Sequence, residues 1–470
     1  MIRRLLFALS CLTFLAVPVL RAQTPRAAAP DFAKARGETV QLLQDLVRID
    51  TSNPPGNETK VAEYLKSLLE KEGIESEIVA MEPSRGNLIA RLKGSGKKKP
   101  LLIMGHEDVV GVDRDKWTVE PFAGLIKDGY VYGRGSLDDK SGVAANFQVF
   151  RMIHRLKIPL DRDIIFLAEA GEEGGRPVGI DFLIEKDWPQ IECEIALNEG
   201  GDTYVKDGKV QYVSVATTEK VPDTMRLVAH GTSGHGSMPR LDNPIVHLAA
   251  AVAKLGEYQS PMHLNETTRT FFQRLATVSP PDEAFLYTHL EDPQVGNIVQ
   301  EKLRRANAMY NSMLRTSISP NIIKGGFRFN VIPADAEVTL DIRALPDEDM
   351  DKFIAEVRRV IDDPAVELIR EGRNRVSTPP PPLNSEMLRA LEKAQAAVFP
   401  KAVTLPEMVT GATDSAQLRV KGVQAYGVGS PVTEEDNARM HGNDERLSIE
   451  GLGQFVEYLY HAVVEVSAAH

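Results

Sequence analysis

The chain has 470 residues, 43% of them apolar and 26% charged. That composition excludes wholesale disorder, a collagen-like fibre and a multi-span membrane protein. The 66 acidic residues outnumber the 55 Lys and Arg and leave a net charge of −11, so phosphate backbones are repelled and nucleic acid is not an expected partner.

Residues 1–22 read as a secretory signal peptide. Arg3 and Arg4 form a short basic start, Leu5 to Leu20 is nearly all apolar, and Leu20-Arg21-Ala22 offers a cleavage site. The alternative is an uncleaved membrane anchor, although the run is short for a span and Pro18 interrupts it. A secreted or periplasmic protein with no stable membrane partner after cleavage is expected. Cleavage would remove three arginines and no acid, and would leave Cys193 as the one cysteine, so no intrachain disulfide is expected. Cys193 itself reads as a core thiol.

After a leader at 23–30, helical spacing appears at Val40, Leu43, Leu46, Val47 and again at Val61, Tyr64, Leu65, Leu68, Leu69. Strands are predicted at 74–80, 88–92 and 101–104, a helix at 142–156, and strands at 164–168 and 194–197. This alternation implies an α/β domain with a mostly parallel sheet. Beyond residue 219 the pattern changes to strand 224–229, helix 245–255, strands 327–329 and 336–342, helix 350–361 and strand 365–369. That order fits a ferredoxin-like βαββαβ unit. Residues 260–319 read as an extra insertion, with a helix at 299–314. Pro379 to Pro382 form a stiff linker. A helix at 388–397 and a strand at 425–428 then restore the α/β character. The expected organisation is a catalytic domain built from 23–219 and 377–470, interrupted by an α+β domain at 220–376.

The acids and histidines fall at strand ends. His106 and Asp108 follow the strand at 101–104. Asp138 and Asp139 end a glycine-rich turn just before a helix. Glu172 and Glu173 follow the strand at 164–168, and Glu199 follows that at 194–197. Ligand sites in open α/β sheets form beyond the carboxyl ends of strands. Mixed nitrogen and oxygen donors there suit zinc, with cobalt or manganese as alternatives. Taken singly, each feature has an ordinary structural reading: Asp138-Asp139 as a helix cap, Glu172-Glu173 as a solvated pair. Several carboxylates gathered in one place need a cation. No H-E-x-x-H, Walker loop or nucleophile elbow is present.

Three runs resemble metallopeptidase family 20: Gly105-His106-Glu107-Asp108-Val109-Val110, Tyr132-Gly133-Arg134-Gly135-Ser136-Leu137-Asp138-Asp139-Lys140 and Glu169-Ala170-Gly171-Glu172-Glu173-Gly174. The family includes aminoacylase, carboxypeptidase S and succinyl-diaminopimelate desuccinylase. The stretch from Trp117 to Lys140 is most similar to the carboxypeptidase S and N-acyl-amino-acid hydrolase branch. The resemblance implies a zinc-exopeptidase-like catalytic domain carrying an inserted lid, and two zinc ions bridged by Asp138. It implies His106 and Glu199 as ligands on one side and Glu173 and His441 on the other, with Asp108 orienting His106 and Glu172 as general base. His235, in Gly234-His235-Gly236, resembles a lid histidine that steadies an oxyanion, often in the partner subunit's site. Asn330 and Arg343 resemble lid residues that grip a substrate carboxylate, though Arg343 equally fits a salt bridge with Asp341 or Asp335. Gly411 and Thr413 lie in a run resembling the substrate loop, where Ala412 replaces a frequent glycine. Ser141 likewise stands where the family often has glycine.

The implied activity is cleavage of an amide next to a free carboxylate, in short peptides or N-acyl amino acids, by a homodimer joined through the lid. An N-fatty-acyl-amino-acid hydrolase or synthase is the rival enzyme, and the insertion at 260–319 could hold a long chain or serve the dimer. A non-catalytic metal- or peptide-binding relic is the rival from another class. It would have no reason to keep Glu172 beside a full ligand set.

Overall fold

The computed structural model describes residues 29–174, 176–371 and 378–469. The expected signal peptide, with Cys11, lies outside these residues, as does the expected domain boundary at 376/377. Among the described residues no helix is long and apolar enough to cross a membrane.

The protein is built on a ten-stranded, mostly parallel sheet. Its order is Ser76–Ala80, Gly86–Leu92, Ile164–Glu169, Leu101–His106, Ile195–Asn198, Gln424–Gly427, Lys209–Glu219, Thr203–Lys206 and Pro431–Thr433, with Val403–Val409 also pairing Lys209–Glu219. Leu101–His106 runs parallel to both of its neighbours. Every residue of Leu101–His106 and of Ile164–Glu169 is buried. Helices cover both faces, which is why these strands are continuous apolar runs rather than alternating ones. One face packs against Phe32–Arg48, Lys140–Arg155, Glu386–Val398 and Ile449–Ser467. The other meets Ile180–Lys186 and Ser415–Val420. The side chain of Asp31 caps the first of these helices by accepting from the Lys34 amide.

A second, antiparallel sheet has the order Ser317–Gly325, Asp335–Ala344, Val221–His230, Val366–Arg370. Asp335–Ala344 alternates exposed or half-buried with buried residues along its length. Its buried face packs on the helices Pro244–Glu257 and Met350–Ile361. In chain order the unit is strand, helix, strand, strand, helix, strand.

Two predicted elements are corrected. Residues 327–329 form a bend leading into a turn, and the strand is Ser317–Gly325. Phe327 and Phe329 alternate as in a strand, but they stand 84% and 100% exposed just after the Gly325-Gly326 pair. The helix expected over 299–314 is two helices, Gly296–Ala306 and Ala308–Met313. Asn307 separates them, because its side chain caps the second by accepting from the Tyr310 amide.

The helices of the 260–313 region form a core of their own. Phe271, Phe272, Tyr287 and Tyr310 stack edge-on or tilted, and they pack with Leu405 and Met408 of Val403–Val409. This segment therefore rests on the central sheet.

The chain passes from one sheet to the other through Glu219 and Lys220, both buried. Glu219 accepts from the Thr413 amide and hydroxyl and from Arg419. Lys220 donates to the Ser312 and Arg315 carbonyls and to the Ser312 and Ser317 hydroxyls. These two neighbours anchor the junction on both sides.

Candidate metal centre

Three adjacent parallel strands point their carboxyl ends at one spot. Leu101–His106 ends on His106, the turn after Ile164–Glu169 carries Glu172 and Glu173, and Glu199 directly follows Ile195–Asn198. The turn before helix Lys140–Arg155 brings Asp138, and the loop after Glu434–Asn437 brings His441. His441 has φ +59°, a left-handed conformation uncommon for a side-chain-bearing residue and frequent at functional sites.

Asp138 stands between the two histidines. Its Oδ1 lies 3.0 Å from Nε2 of His106 and its Oδ2 lies 3.0 Å from Nε2 of His441. Glu173 Oε1 is 2.7 Å from the same nitrogen of His441, and Glu199 Oε2 is 3.7 Å from His106 Nε2. Donor atoms of His106, Asp138 and Glu173 fall within 4.8 Å of one another, as do those of His106, Glu172 and Glu199.

Asp108 holds this arrangement from behind. Its carboxylate is fully buried and accepts the amides of Gly171, Glu172 and Glu173 at 3.0, 3.1 and 3.1 Å and the Asn53 side chain at 2.8 Å. His106 Nδ1 sits 3.0 Å from its carbonyl oxygen and 3.5 Å from its Oδ1. A second buried device joins Asp138 to His441. Glu445 accepts the Leu137 and Asp138 amides and the Arg134 guanidinium, and Arg134 also donates to the carbonyls of His441 and Gly442.

The electrostatics describe a site crowded with anions. Burial, then the nearby charge of Glu199, pushes Glu172 up to about 10, and burial raises Glu199. Burial alone would lower His106, but Glu199, Asp108 and Asp138 override it and hold the ring well above its ordinary value. Hydrogen bonds to Asp138 and Glu173 push His441 up to about 10. These carboxyls resist ionising together unless positive charge lies among them. The donor set of two imidazole nitrogens with carboxylates of Asp138, Glu173 and Glu199 matches the ligand chemistry of zinc-type cations.

Asp139 also belongs here rather than to a helix cap, and so do Glu169, Asp414 and Asn53, none of which stands out in the sequence as a ligand. Asp139 makes no side-chain cap bond to the helix that follows. Its carboxyl occupies space left by Gly105 and Gly142, where a Cβ would come within 2.5 and 2.2 Å of its oxygens. Burial raises Asp139 and Glu169, and it pushes Asp414 up to about 7. Asp414 lies one residue past Thr413, inside the run that resembles the substrate loop.

The remaining expected residues lie elsewhere. His235 is exposed on the short strand Gly234–His235, paired with Val331–Ile332. Its Nδ1 receives the Ser237 amide at 3.1 Å and lies 2.7 Å from the Ser237 hydroxyl. An amide can only donate, so Nδ1 is the acceptor and Nε2 carries the proton of the neutral ring. Asn330 is beside it, its carbonyl accepting the Gly236 amide at 2.8 Å, and its Oδ1 is buried without a partner. Arg343 is paired with Asp341 of its own strand, at 2.9 and 3.3 Å. Among the described residues none of these three shares a hydrogen bond or ion pair with the acidic cluster. Gly411 is half-buried, and a Cβ there would meet Val409 Cγ1 at 3.7 Å, an ordinary contact. Thr413 is buried, and its hydroxyl is engaged by Glu219 and the Ser415 amide.

An α/β sheet whose strand ends converge on histidines and carboxylates defines the class of hydrolases that work with bound metal ions. The chain belongs to peptidase family M20/M25/M40, whose model matches residues 102–465, and it is a hydrolase of that family. It is 27% identical to the N-fatty-acyl-amino acid synthase/hydrolase of Homo sapiens over 445 residues, which is 90% of this chain and 86% of that protein. It is 30% identical to the probable carboxypeptidase S-like 2 of Dictyostelium discoideum over 389 residues, covering 80% of this chain and 74% of the relative. The fold matches the crystal structure of an M20 family metallo-carboxypeptidase from Sulfolobus solfataricus with a TM-score of 0.67 at 19% identity, over 91% of this chain and 98% of the other.

Proposed function

We propose that the cluster holds two divalent cations, zinc or else cobalt or manganese, and that the enzyme hydrolyses an amide bond next to a free carboxylate. One observation carries the reading: the two oxygens of Asp138 are each 3.0 Å from the Nε2 of a different histidine. A carboxylate so placed can bridge two ions. His106 and Glu199 then serve one ion, and Glu173 and His441 the other. The ions supply Lewis-acid charge for a carbonyl and its attacking water.

The chain's own residues do the rest. Glu172, in the same cluster as Glu199 and His106 but not needed as a ligand, takes a proton from the attacking water. It passes that proton to the leaving nitrogen as the carbon–nitrogen bond breaks. Asp108 fixes the His106 ring and the turn that carries Glu172. His235, with Nε2–H free to donate, steadies the oxyanion, and Asn330, Arg343 and Gly411 contact the substrate carboxylate. Arg343 must exchange its Asp341 partner to do so. Thr413, with its hydroxyl engaged, contributes through the loop backbone. The exposed edge strand Ser317–Gly325, where Ile322 and Ile323 face solvent, supports a homodimer formed through the second sheet. The basic and apolar start of the chain supports secretion or export to a periplasm.

The substrates proposed are short peptides or N-acyl amino acids. Similarity to the human N-fatty-acyl-amino acid synthase/hydrolase over 90% of the chain favours a second reading, in which the acyl group is a fatty chain. The test is a panel of dipeptides, short-chain N-acyl amino acids and N-fatty-acyl amino acids, each with and without chelator. Activity is expected to vanish with chelator, and the rank order decides between the readings. Glu172→Gln should lose more than about a hundredfold in kcat. A Glu172→Gln enzyme with full activity would remove Glu172 from the role of base.

A further inference from the structure

We infer that Asn53 is a positioning residue for the Glu172–Glu173 turn, acting through Asp108. The inference rests on the proposed roles of Glu172 and Glu173, and it adds the group that holds them in place. Asp108 is the one anion onto which the amides of residues 171, 172 and 173 all converge, at 3.0–3.1 Å. A carboxylate has about four acceptor sites. On Oδ1 two are taken by Gly171 and Glu172. On Oδ2 one is taken by Glu173 and the other by the Asn53 side-chain amide at 2.8 Å. Asn53 therefore completes the shell that keeps a buried carboxylate from rotating.

Asn53 is itself held on three sides. It is buried, and its own amide donates to the Val109 carbonyl at 2.9 Å, just beyond Asp108. Next to it the Thr51 hydroxyl donates to the Glu107 carbonyl at 2.6 Å, so residues 51–53 run alongside 107–109 as a bracket. Its side chain also lies against the far end of the turn. A Cβ at Gly174 would fall 1.9 Å from Asn53 Nδ2. The Asn53 amide thus meets the 171–174 turn both directly, at Gly174, and through Asp108. Without it, Oδ2 keeps only the Glu173 amide, and both the turn and the carboxylate beside His106 gain freedom.

The test uses the full-length protein and two readouts that do not depend on turnover. Amide hydrogen exchange across residues 169–174 is followed in metal-free protein, and zinc loss to a chelator is followed in zinc-loaded protein. Asn53→Ala should speed exchange of the 171–173 amides at least about tenfold. It should also weaken zinc retention and lower kcat by about 10- to 100-fold, the usual size of effects from groups behind metal ligands, with KM within about twofold. Asn53→Asp, which has the same shape and sets a second carboxylate against Asp108, should do the same or more. It carries the readouts if the truncated variant does not fold. Leu65→Ala, a void in the core of the Thr59–Lys71 helix, serves as the stability control and should lower Tm while leaving exchange at 171–173 unchanged. Exchange, zinc retention and kcat all within twofold of wild type in the Asn53 variants would overturn the inference, whatever their Tm. A wild-type protein that binds no divalent cation would end the metal reading instead, and the exchange experiment would still decide the role of Asn53.

Discussion

Glu445 offers the sharpest test of how two distant parts of the chain are held together. It is fully buried, pairs with Arg134 at 2% exposure, and accepts the amides of Leu137 and Asp138. Glu445→Ala leaves a buried guanidinium facing a void and two amides without an acceptor. Breaking a buried ion pair by removing one partner costs about 3–5 kcal/mol. Each orphaned amide adds about 1–3 kcal/mol, and the effects overlap because they share one carboxylate. A loss of about 4–7 kcal/mol follows, a large share of the ~5–15 kcal/mol that folded domains have in hand. At roughly 2 °C per kcal/mol for a large chain, the melting midpoint should fall by about 10 °C. Glu445→Gln keeps an oxygen for the two amides and should lose about half as much. Replacing both Arg134 and Glu445 by Met should recover much of the stability of the single variant, since the stranded charge is gone. It should not recover binding of the proposed divalent cations, because Arg134 also holds the carbonyls of His441 and Gly442. Calorimetry and urea titration measure the first effect, and zinc content after dialysis measures the second. A Glu445→Ala protein melting within about 2 °C of wild type would refute the account of this joint.

Glu407 gives a prediction in pH. Burial, then the nearby charge of Asp202, holds its carboxyl at about 8 against an ordinary 4.5. The folded protein therefore keeps a proton that the unfolded chain has released, and stability present below about pH 4.5 is lost as pH rises through 8. At about 1.4 kcal/mol per pKa unit, up to about 4 kcal/mol disappears between pH 5 and 8 through this group. Glu407→Gln should flatten the fall in Tm over that range, and an unchanged pH profile would dismiss the cause. In the segment that rests on the central sheet, Phe272→Ala should cost about 3–5 kcal/mol, read by urea titration, because Phe272 touches Tyr287 and Tyr310 in a closed core. A loss below about 1 kcal/mol would show that this core is not packed as described.

The central sheet and half of the acidic cluster were legible because one physical pattern writes both. Apolar runs at 101–104, 164–168 and 195–197 are strands covered on two faces, and the first polar residues beyond them must sit at the sheet's carboxyl edge. His441 has no such run before it. It stands in a turn at positive φ, so only the resemblance of its motif identified it. Asn53 and Glu445 act on partners 55 and more than 300 residues away, which no local pattern can express. The misread strand at 327–329 shows the converse failure. Alternating aromatic residues satisfy the strand pattern, yet nothing covers them, and the true edge strand ends at Gly325. The split of the 299–314 helix turned on one capping side chain, Asn307, whose polarity is compatible with either outcome.

The acidic cluster gathers its members very unevenly along the chain: His106 to Glu199 come early, and His441 arrives only after the whole second sheet has been threaded. The clasp that seats Asp138 arrives later still, with Glu445. A nascent polypeptide emerging from the ribosome consequently carries most of the acids but cannot finish the cup until its closing residues appear. On the proposed ligand set, a chain that stops before His441 lacks one of the five ligands and is expected to be inert, so hydrolytic power would be withheld through most of translation.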